Sequence, residues 1–509
     1  MSTVASGLSE ISPRRRLWMT IAVMAATIMQ VLDTTIVNVA LPTIQGQLAA
    51  SPAQIGWVLT SYIVAAGIFM TLTGYLTDRL GQRTYITLSI FGFTLMSVMC
   101  GLATNLTELI LFRVLQGVFG ASLVPMAQSI LVQAYPPHER ARAMAIWSVG
   151  VMVGPILGPS LGGWLTEVFS WRWTFFVNLP IGIASGIIAW QVIPESARKV
   201  RAMDWSGFAL MVMALGGLQM VLDRGTAEDW YSSNSIRLFT LISAVGFIGF
   251  IWHGLTAKAT PLFNLRIFMD RNFATASMMM IVLGAGLYGT MILVPLMLEG
   301  LMHYPASSVG LLMMPRGFAS MLAMVMAARL LRIFDAKLIV AVGIALYAMG
   351  SLFAAGYNLE IDSYWIVMPA LWQGFGLGLV LVPLSTLALS TLPPQYLAES
   401  AGIYSLMRTL GQAFGISAVT MLVSRHTQIA WNQLGGGLQA TSPAVQLWAD
   451  KLSMSSDSAQ LPLVLAKELG RQSQMLAFVD AYLFIACSFV LVAPLLMLFR
   501  SSKPAVATT

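Results

Sequence analysis

Charge is what this chain has least of. Asp, Glu, Lys and Arg make up 10% of its 509 residues, against roughly 25% in a soluble domain, so the chain cannot cover a water-facing surface. Cysteine is rarer still: Cys100 and Cys487 both sit in apolar runs, which excludes a disulfide framework or a cysteine metal cluster. The four histidines (His138, His253, His303, His426) all fall near segment ends or loops. No intramembrane pair is spaced to ligate haem, which counts against a respiratory enzyme. A nucleotide loop, metal-ligand spacing and a workable Ser/His/Asp set are missing as well, leaving little warrant for a membrane enzyme or a scaffold.

What is present is apolar. Hydrophobic residues are 57% of the chain and the mean hydropathy is +0.77. Apolar runs of about 20 residues, the length that crosses a bilayer core, recur throughout. Fourteen spans are expected, near 17–40, 53–77, 84–103, 106–133, 141–166, 173–193, 206–222, 237–255, 273–299, 306–328, 338–357, 363–391, 397–424 and 476–499. Most Lys and Arg fall in segments on the side of the N-terminus, so both termini are expected in the cytoplasm. The net charge of +7 follows from that bias and does not imply nucleic-acid binding. Arg14-Arg15-Arg16 precedes an apolar run too long for a cleavable signal.

The chain repeats itself. Shifted by 257 residues, Gln116-Gly117 becomes Gln373-Gly374, Pro136-Pro137 becomes Pro393-Pro394, and Gly154 and Gly158 become Gly411 and Gly415. Spans 1–6 therefore pair with spans 9–14, and spans 7 and 8 are an inserted hairpin. The halves differ in charge: Arg113 falls opposite Ala370, and Pro155 opposite Gln412. The expected organisation is an N-terminal segment 1–16, a six-helix bundle 17–193, a linker with the hairpin 194–272, a second six-helix bundle 273–499 with a long outer loop 425–475, and a tail 500–509.

Three motifs carry chemistry. After span 2, Gly74, Asp78, Arg79, Gly81 and Arg83 form a short charged turn suited to a conformational latch. In span 5, Gly150, Gly154, Gly158 and Gly162 lie four apart with Pro155, Pro159 and Gly163 beside them, a smooth stripe for close helix approach. In span 1, Asp33 is a carboxylate in an apolar helix, costly as an ion and able to exchange a proton. Arg113 is the next charge at membrane depth, with Gln116 on its helical face.

The turn resembles the major facilitator signature G-x-L-x-D-R-x-G-x-R, and the span 5 stripe G-x-x-x-G-P-x-x-G-P-x-x-G-G resembles the antiporter signature of drug-exporting facilitators. Leu32 to Pro42 looks like the L-D-x-T-I-V-N-V-A-L-P run of the fourteen-span drug:proton antiporters of the EmrB/QacA type. Arg113-x-x-Gln116-Gly117 and Trp171-Arg172-Trp173…Asn178-Leu-Pro180-Ile181-Gly182 match further family runs. The resemblance is closest to the EmrB branch. It implies an all-α membrane protein of the major facilitator fold, two six-helix bundles plus an inserted hairpin, with a substrate site near mid-membrane between the halves.

Function is then expected to be proton-coupled efflux of lipophilic toxic compounds across a bacterial inner membrane, with no cofactor beyond the proton and no metal. Fatty-acid or lipid export and nutrient symport are the alternatives within transport. Asp33 and Arg113 are the expected proton-coupling pair. Gln30, Asn38, Gln116, Gln128, Trp147 and Gln373 are candidate cavity groups, and Asp223, Glu299, Arg316 and Arg408 form a second tier. The resemblance also implies a periplasmic adaptor and an outer-membrane channel as partners, with loop 425–475 as the place of adaptor contact. Nothing in the spacing or the motifs selects one substrate.

Overall fold

The structure, a computed structural model, describes residues 12–50, 52–136, 139–198, 202–225, 228–256, 265–392, 397–436, 445–446 and 461–500. Sixteen α-helices of eight or more residues build the described residues: α1 Pro13–Gln47, α2 Trp57–Met70, α3 Thr73–Leu80, α4 Gln82–Leu102, α5 Leu106–Gly120, α6 Leu123–Ala134, α7 Arg140–Val168, α8 Asn178–Val192, α9 Trp205–Arg224, α10 Asn234–Thr256, α11 Arg271–Pro295, α12 Ala306–Leu330, α13 Ala336–Ala354, α14 Ser363–Leu389, α15 Leu397–Gly435 and α16 Leu461–Val492. Among the described residues, 12 helical segments are long and apolar enough to cross a membrane. The pair α2–α3, bent by 58°, forms a further span. The 29-residue α7, packed between α1 and α12, stands where the fifth expected span falls.

Helix starts are fixed locally. Asp204, Asp270 and Asp335 each precede a helix and accept a backbone N–H, from Gly207 at 2.8 Å, Phe273 at 2.8 Å and Lys337 at 3.0 Å. The inserted hairpin α9–α10 is tied by Ser243 Oγ donating to the Ala214 carbonyl at 2.9 Å. At its turn, Ser235 and Ser233 donate to Glu228 and hold its carboxyl below the usual carboxylate range. Met211, Leu215 and Phe250 of the hairpin join the core of the second half.

The repeat reappears as packing. On α7, an added side chain at Gly154 would lie 2.7 Å from the Val31 carbonyl carbon and 2.8 Å from the Leu32 amide nitrogen of α1, and one at Gly162 would lie 2.6 Å from the Ile36 carbonyl oxygen. On α15, Gly411 and Gly415 face the α11 backbone at Ile281 and Ala285 in the same manner. Glycine is required at these positions because backbone faces backbone. The opposite side of α7 meets the second half, where Gly310 of α12 faces Ser160 and Gly317 faces Ile156. An apolar seam of Val31, Val124, Val151, Met152 and Ile156 with Met324 closes the two halves together.

One expectation is corrected. The described parts of the segment 425–475 are mostly helix: α15 continues to Gly435 and α16 already begins at Leu461. Residues 425–434 are polar but contain neither Gly nor Pro, so polarity marks departure from the apolar layer without ending the helix. The break comes at Gly435-Gly436-Gly437, and Pro462 suits the first turn of α16. At 39 residues, α15 is far longer than the about 20 needed to cross a bilayer. Residues 437–444 and 447–460, the remainder of that segment, lie outside the described residues, as do Pro393 and Pro394.

Gly154→Ala should lower the unfolding midpoint of the purified protein, by about 1–3 kcal/mol of overpacking. Gly216→Ala, where nothing lies within 4 Å, should leave it unchanged or raise it. Equal midpoints for the two variants would contradict the backbone-contact reading of the stripe.

Candidate functional site

Asp33 is 0% exposed on α1, and three side chains converge on it. Arg113 of α5 donates through Nη1 to Oδ2 at 2.6 Å, Gln116 of α5 donates through Nε2 to Oδ1 at 2.9 Å, and Asn178 of α8 donates through Nδ2 to Oδ1 at 2.9 Å. Arg113, Gln116 and Asn178 are also fully buried. The helical step from 113 to 116 puts guanidinium and amide on one face of α5, and they bond each other at 2.8 Å.

A second ring of contacts fixes the first. Arg113 Nε donates to the Val58 carbonyl of α2 at 3.0 Å. The guanidinium lies 4.2 Å from the centroid of the Tyr62 ring, a cation–π contact worth about 2 kcal/mol when desolvated. Gln30 donates to the Tyr62 hydroxyl at 3.0 Å. Asn178 also donates to Ser97 of α4 at 2.9 Å, and the Cys100 thiol of α4 donates to Gln116 at 3.6 Å. Four other transmembrane segments of the first half are thereby pinned to one carboxylate on α1. Beside this group lies a small cleft shared with the second half, with Asn38, Tyr62 and Arg113 on one side and Tyr288, Gln412 and Ile416 on the other.

Of the expected cavity groups, Gln30, Asn38 and Gln116 thus gather near Asp33. Gln128 and Trp147 are half-buried on α6 and α7, and Trp147 packs on the seam between the halves. Gln373 is buried in the second half and donates to Ser351 at 3.3 Å. Arg316 is buried on α12, whereas Arg408 on α15 and Glu299 beyond α11 are half-buried. The side chains of Asp223 and Pro155 lie outside the described residues.

The turn after span 2 is clamped within its own half. Gly81 has φ 88°, a conformation that favours glycine, and a side chain there would strike Glu195. Glu195 accepts from the Arg83 amide at 3.1 Å and from Thr84 Oγ1 at 2.6 Å, and Arg83 lies 4.7 Å over the Trp190 ring. Gly74 is exposed at the α3 start, and Arg79 donates to Tyr75 at 2.6 Å. Asp78 is half-buried and makes no hydrogen bond or ion pair among the described residues. Sequence reasoning did not single out Tyr62, Glu195 or the role of Asn178. An amide opening a helix at membrane depth, after an aromatic break, is the signal that marks Asn178.

Chemically, the arrangement is a buried carboxylate with both oxygens engaged in a charge-assisted network. Among the described residues no group of three or more His, Cys, Asp and Glu could hold a metal ion.

Comparison with known proteins follows the same lines. Residues 23–416 match the family model of the Major Facilitator Superfamily. The chain is 32% identical over 494 residues to the Multidrug export protein EmrB of Haemophilus influenzae, covering 96% of each chain. It is 33% identical over 488 residues to the Fatty acid resistance protein FarB of Neisseria gonorrhoeae, covering 95% of this chain and 96% of that one. Among solved structures, a bacterial homologue of the human lysosomal transporter Spinster, inward-facing and unoccupied, superposes with a TM-score of 0.62 at 19% identity, covering 97% of this chain and 100% of that one.

Removing one member of the buried pair should cost more than removing both. Arg113→Leu leaves a carboxylate buried without its cation and should destabilise by about 3–5 kcal/mol, while Asp33→Leu with Arg113→Leu should recover much of that loss. A thermal-unfolding double-mutant cycle reads the coupling; additive losses would contradict the pairing.

Proposed function

The chain belongs to the major facilitator superfamily, in its EmrB-type branch, and from that premise we propose that it exports hydrophobic or amphipathic compounds across the bacterial inner membrane in exchange for protons. The observation that carries this reading is Asp33, a carboxylate with no solvent exposure that shares its oxygens among Arg113, Gln116 and Asn178. A proton arriving from outside binds Asp33, cancels its charge and removes the ionic half of its bond to Arg113. Arg113 keeps the Val58 carbonyl, Gln116 and the Tyr62 ring. The lost attraction shifts the balance between two arrangements of the halves.

The path for that shift is short. Asp33 stands on α1, α1 bears on the glycine face of α7, and α7 bears on α12 of the other half. Release of the proton to the cytoplasm restores the pair and resets the cycle. Each proton crossing 100 mV also draws about 2.3 kcal/mol from the membrane potential. Both termini are cytoplasmic in this scheme, and the ends of α15 and α16 project into the periplasm. There they offer a docking element for an adaptor that leads to an outer-membrane channel. Site-specific crosslinking from Ile429 or Leu463, both exposed, should trap the adaptor; assembly left untouched after deletion of residues 437–460 and absence of crosslinks would defeat that part of the scheme.

The test of export uses purified protein in liposomes with an imposed pH gradient and a panel of lipophilic dyes and acids. The wild type should show compound-dependent proton flux, and Asp33→Asn, which keeps the shape and one acceptor oxygen but cannot titrate, should abolish it. Unchanged flux in Asp33→Asn would reject the role of Asp33, and no flux with any compound in the wild type would reject export.

A further inference from the structure

The packing that relates the two halves also aligns their interiors residue by residue. Gly154 and Gly158 face Val31 and Thr35, while Gly411 and Gly415 face Ile281 and Ala285, so Leu283 occupies in the second half the place of Asp33. Gly117 of α5 bears on the Tyr62 carbonyl, and its counterpart Gly374 of α14 bears on the Arg316 carbonyl, so Arg316 stands in the place of Tyr62. Gln373, with its bond to Ser351, mirrors Gln116 and Cys100. The second half therefore keeps a cation at the equivalent depth, moved to the facing helix, and has leucine where the first half has the carboxylate.

Arg316 is 8% exposed and pairs with no carboxylate among the described residues. Its Nη2 donates to the Tyr347 hydroxyl at 3.2 Å, and Tyr347 donates in turn to the Gly286 carbonyl at 2.9 Å and stacks on Phe489 at 4.0 Å. Its Nη1 has no hydrogen-bond partner, and neither does the hydroxyl of Tyr482, a fully buried neighbour within its electrostatic reach. A buried guanidinium without an anion costs several kcal/mol. Both orphaned groups are donors, and a carboxylate satisfies a guanidinium fork through two oxygens while leaving further lone pairs for a hydroxyl. Around them lie the Thr290 hydroxyl, 3.1 Å from that of Tyr347, and aromatic rings such as Phe489, which suit an anion that is lipophilic elsewhere.

We infer that Arg316 anchors the carboxylate of lipophilic acid substrates inside the second half, at a site separate from the proton-binding Asp33. The inference rests on the export reading and names its substrate class. Gly317, the next residue, faces Ile156 across the seam, so relative movement of the halves displaces Arg316 and couples loading of the anion to the transport cycle.

Binding of labelled dodecanoate to purified protein in nanodiscs tests this, with dodecanol as the neutral match and tetraphenylphosphonium as a lipophilic cation. Arg316→Gln should weaken dodecanoate at least tenfold and leave the cation and dodecanol unchanged. Leu283→Glu, which supplies an internal carboxylate in the place of Asp33, should also lose dodecanoate and keeps the test open if Arg316→Gln fails to fold. Unchanged dodecanoate affinity in both variants, or loss of all three ligands alike, would overturn the site. Arg316-dependent binding in a protein that moves no compound in liposomes would leave the site standing and sink the export reading.

Discussion

A single buried ion pair sets the terms for the first half of this molecule. Asp33 and Arg113 meet at 2.6 Å with no exposure to solvent on either side. In an apolar layer neither charge is tolerable alone, and the pair alone does not repay its desolvation. The remaining oxygen of Asp33 therefore takes Gln116 and Asn178, and the remaining face of Arg113 takes Tyr62 and the Val58 carbonyl. Satisfying one carboxylate thus dictates where five spans sit.

Transmission depends on a different physical constraint, the absence of side chains. The glycine face of α7 lets α1 approach until backbone touches backbone, and the opposite face of α7 lies on α12. The helix is thus gripped on both sides, and the seam of Val31, Val151, Met152 and Met324 joins it to the second half. The second half repeats the glycine contacts of α15 on α11 but carries no acid at the matching place. The halves share a scaffold and differ in charge, the first holding a buried ion pair and the second a buried arginine that pairs with no carboxylate among the described residues.

Much of this was legible in the sequence, for reasons that differ by residue. Asp33 and Arg113 announced themselves because charge at membrane depth is expensive, and the glycines of span 5 because a four-residue period on a helix has one packing meaning. The 257-residue offset found the repeat, and its glycine contacts are visible in the structure. Asn178 stands in the sequence as part of a motif run, and its place at a helix start after an aromatic break is the signal short of its partner, since an amide carries no charge to advertise it. Glu195, which clamps the turn at Gly81 from the segment that follows α8, more than 100 residues away, is invisible without tertiary contact. In the segment 425–475 polarity is a poor guide to loop, because α15 runs through its first polar residues to Gly435 and α16 is under way from Leu461.

The central claim is that binding of an exported compound and protonation of Asp33 compete through the arrangement of the halves. Proton release on adding compound to weakly buffered, detergent-solubilised protein, followed with an indicator dye, measures that competition without any membrane potential. Release of protons that disappears in Asp33→Asn, while the variant still binds the compound, is the predicted result. The same release in Asp33→Asn as in the wild type would contradict it, and would move the coupling proton to another group.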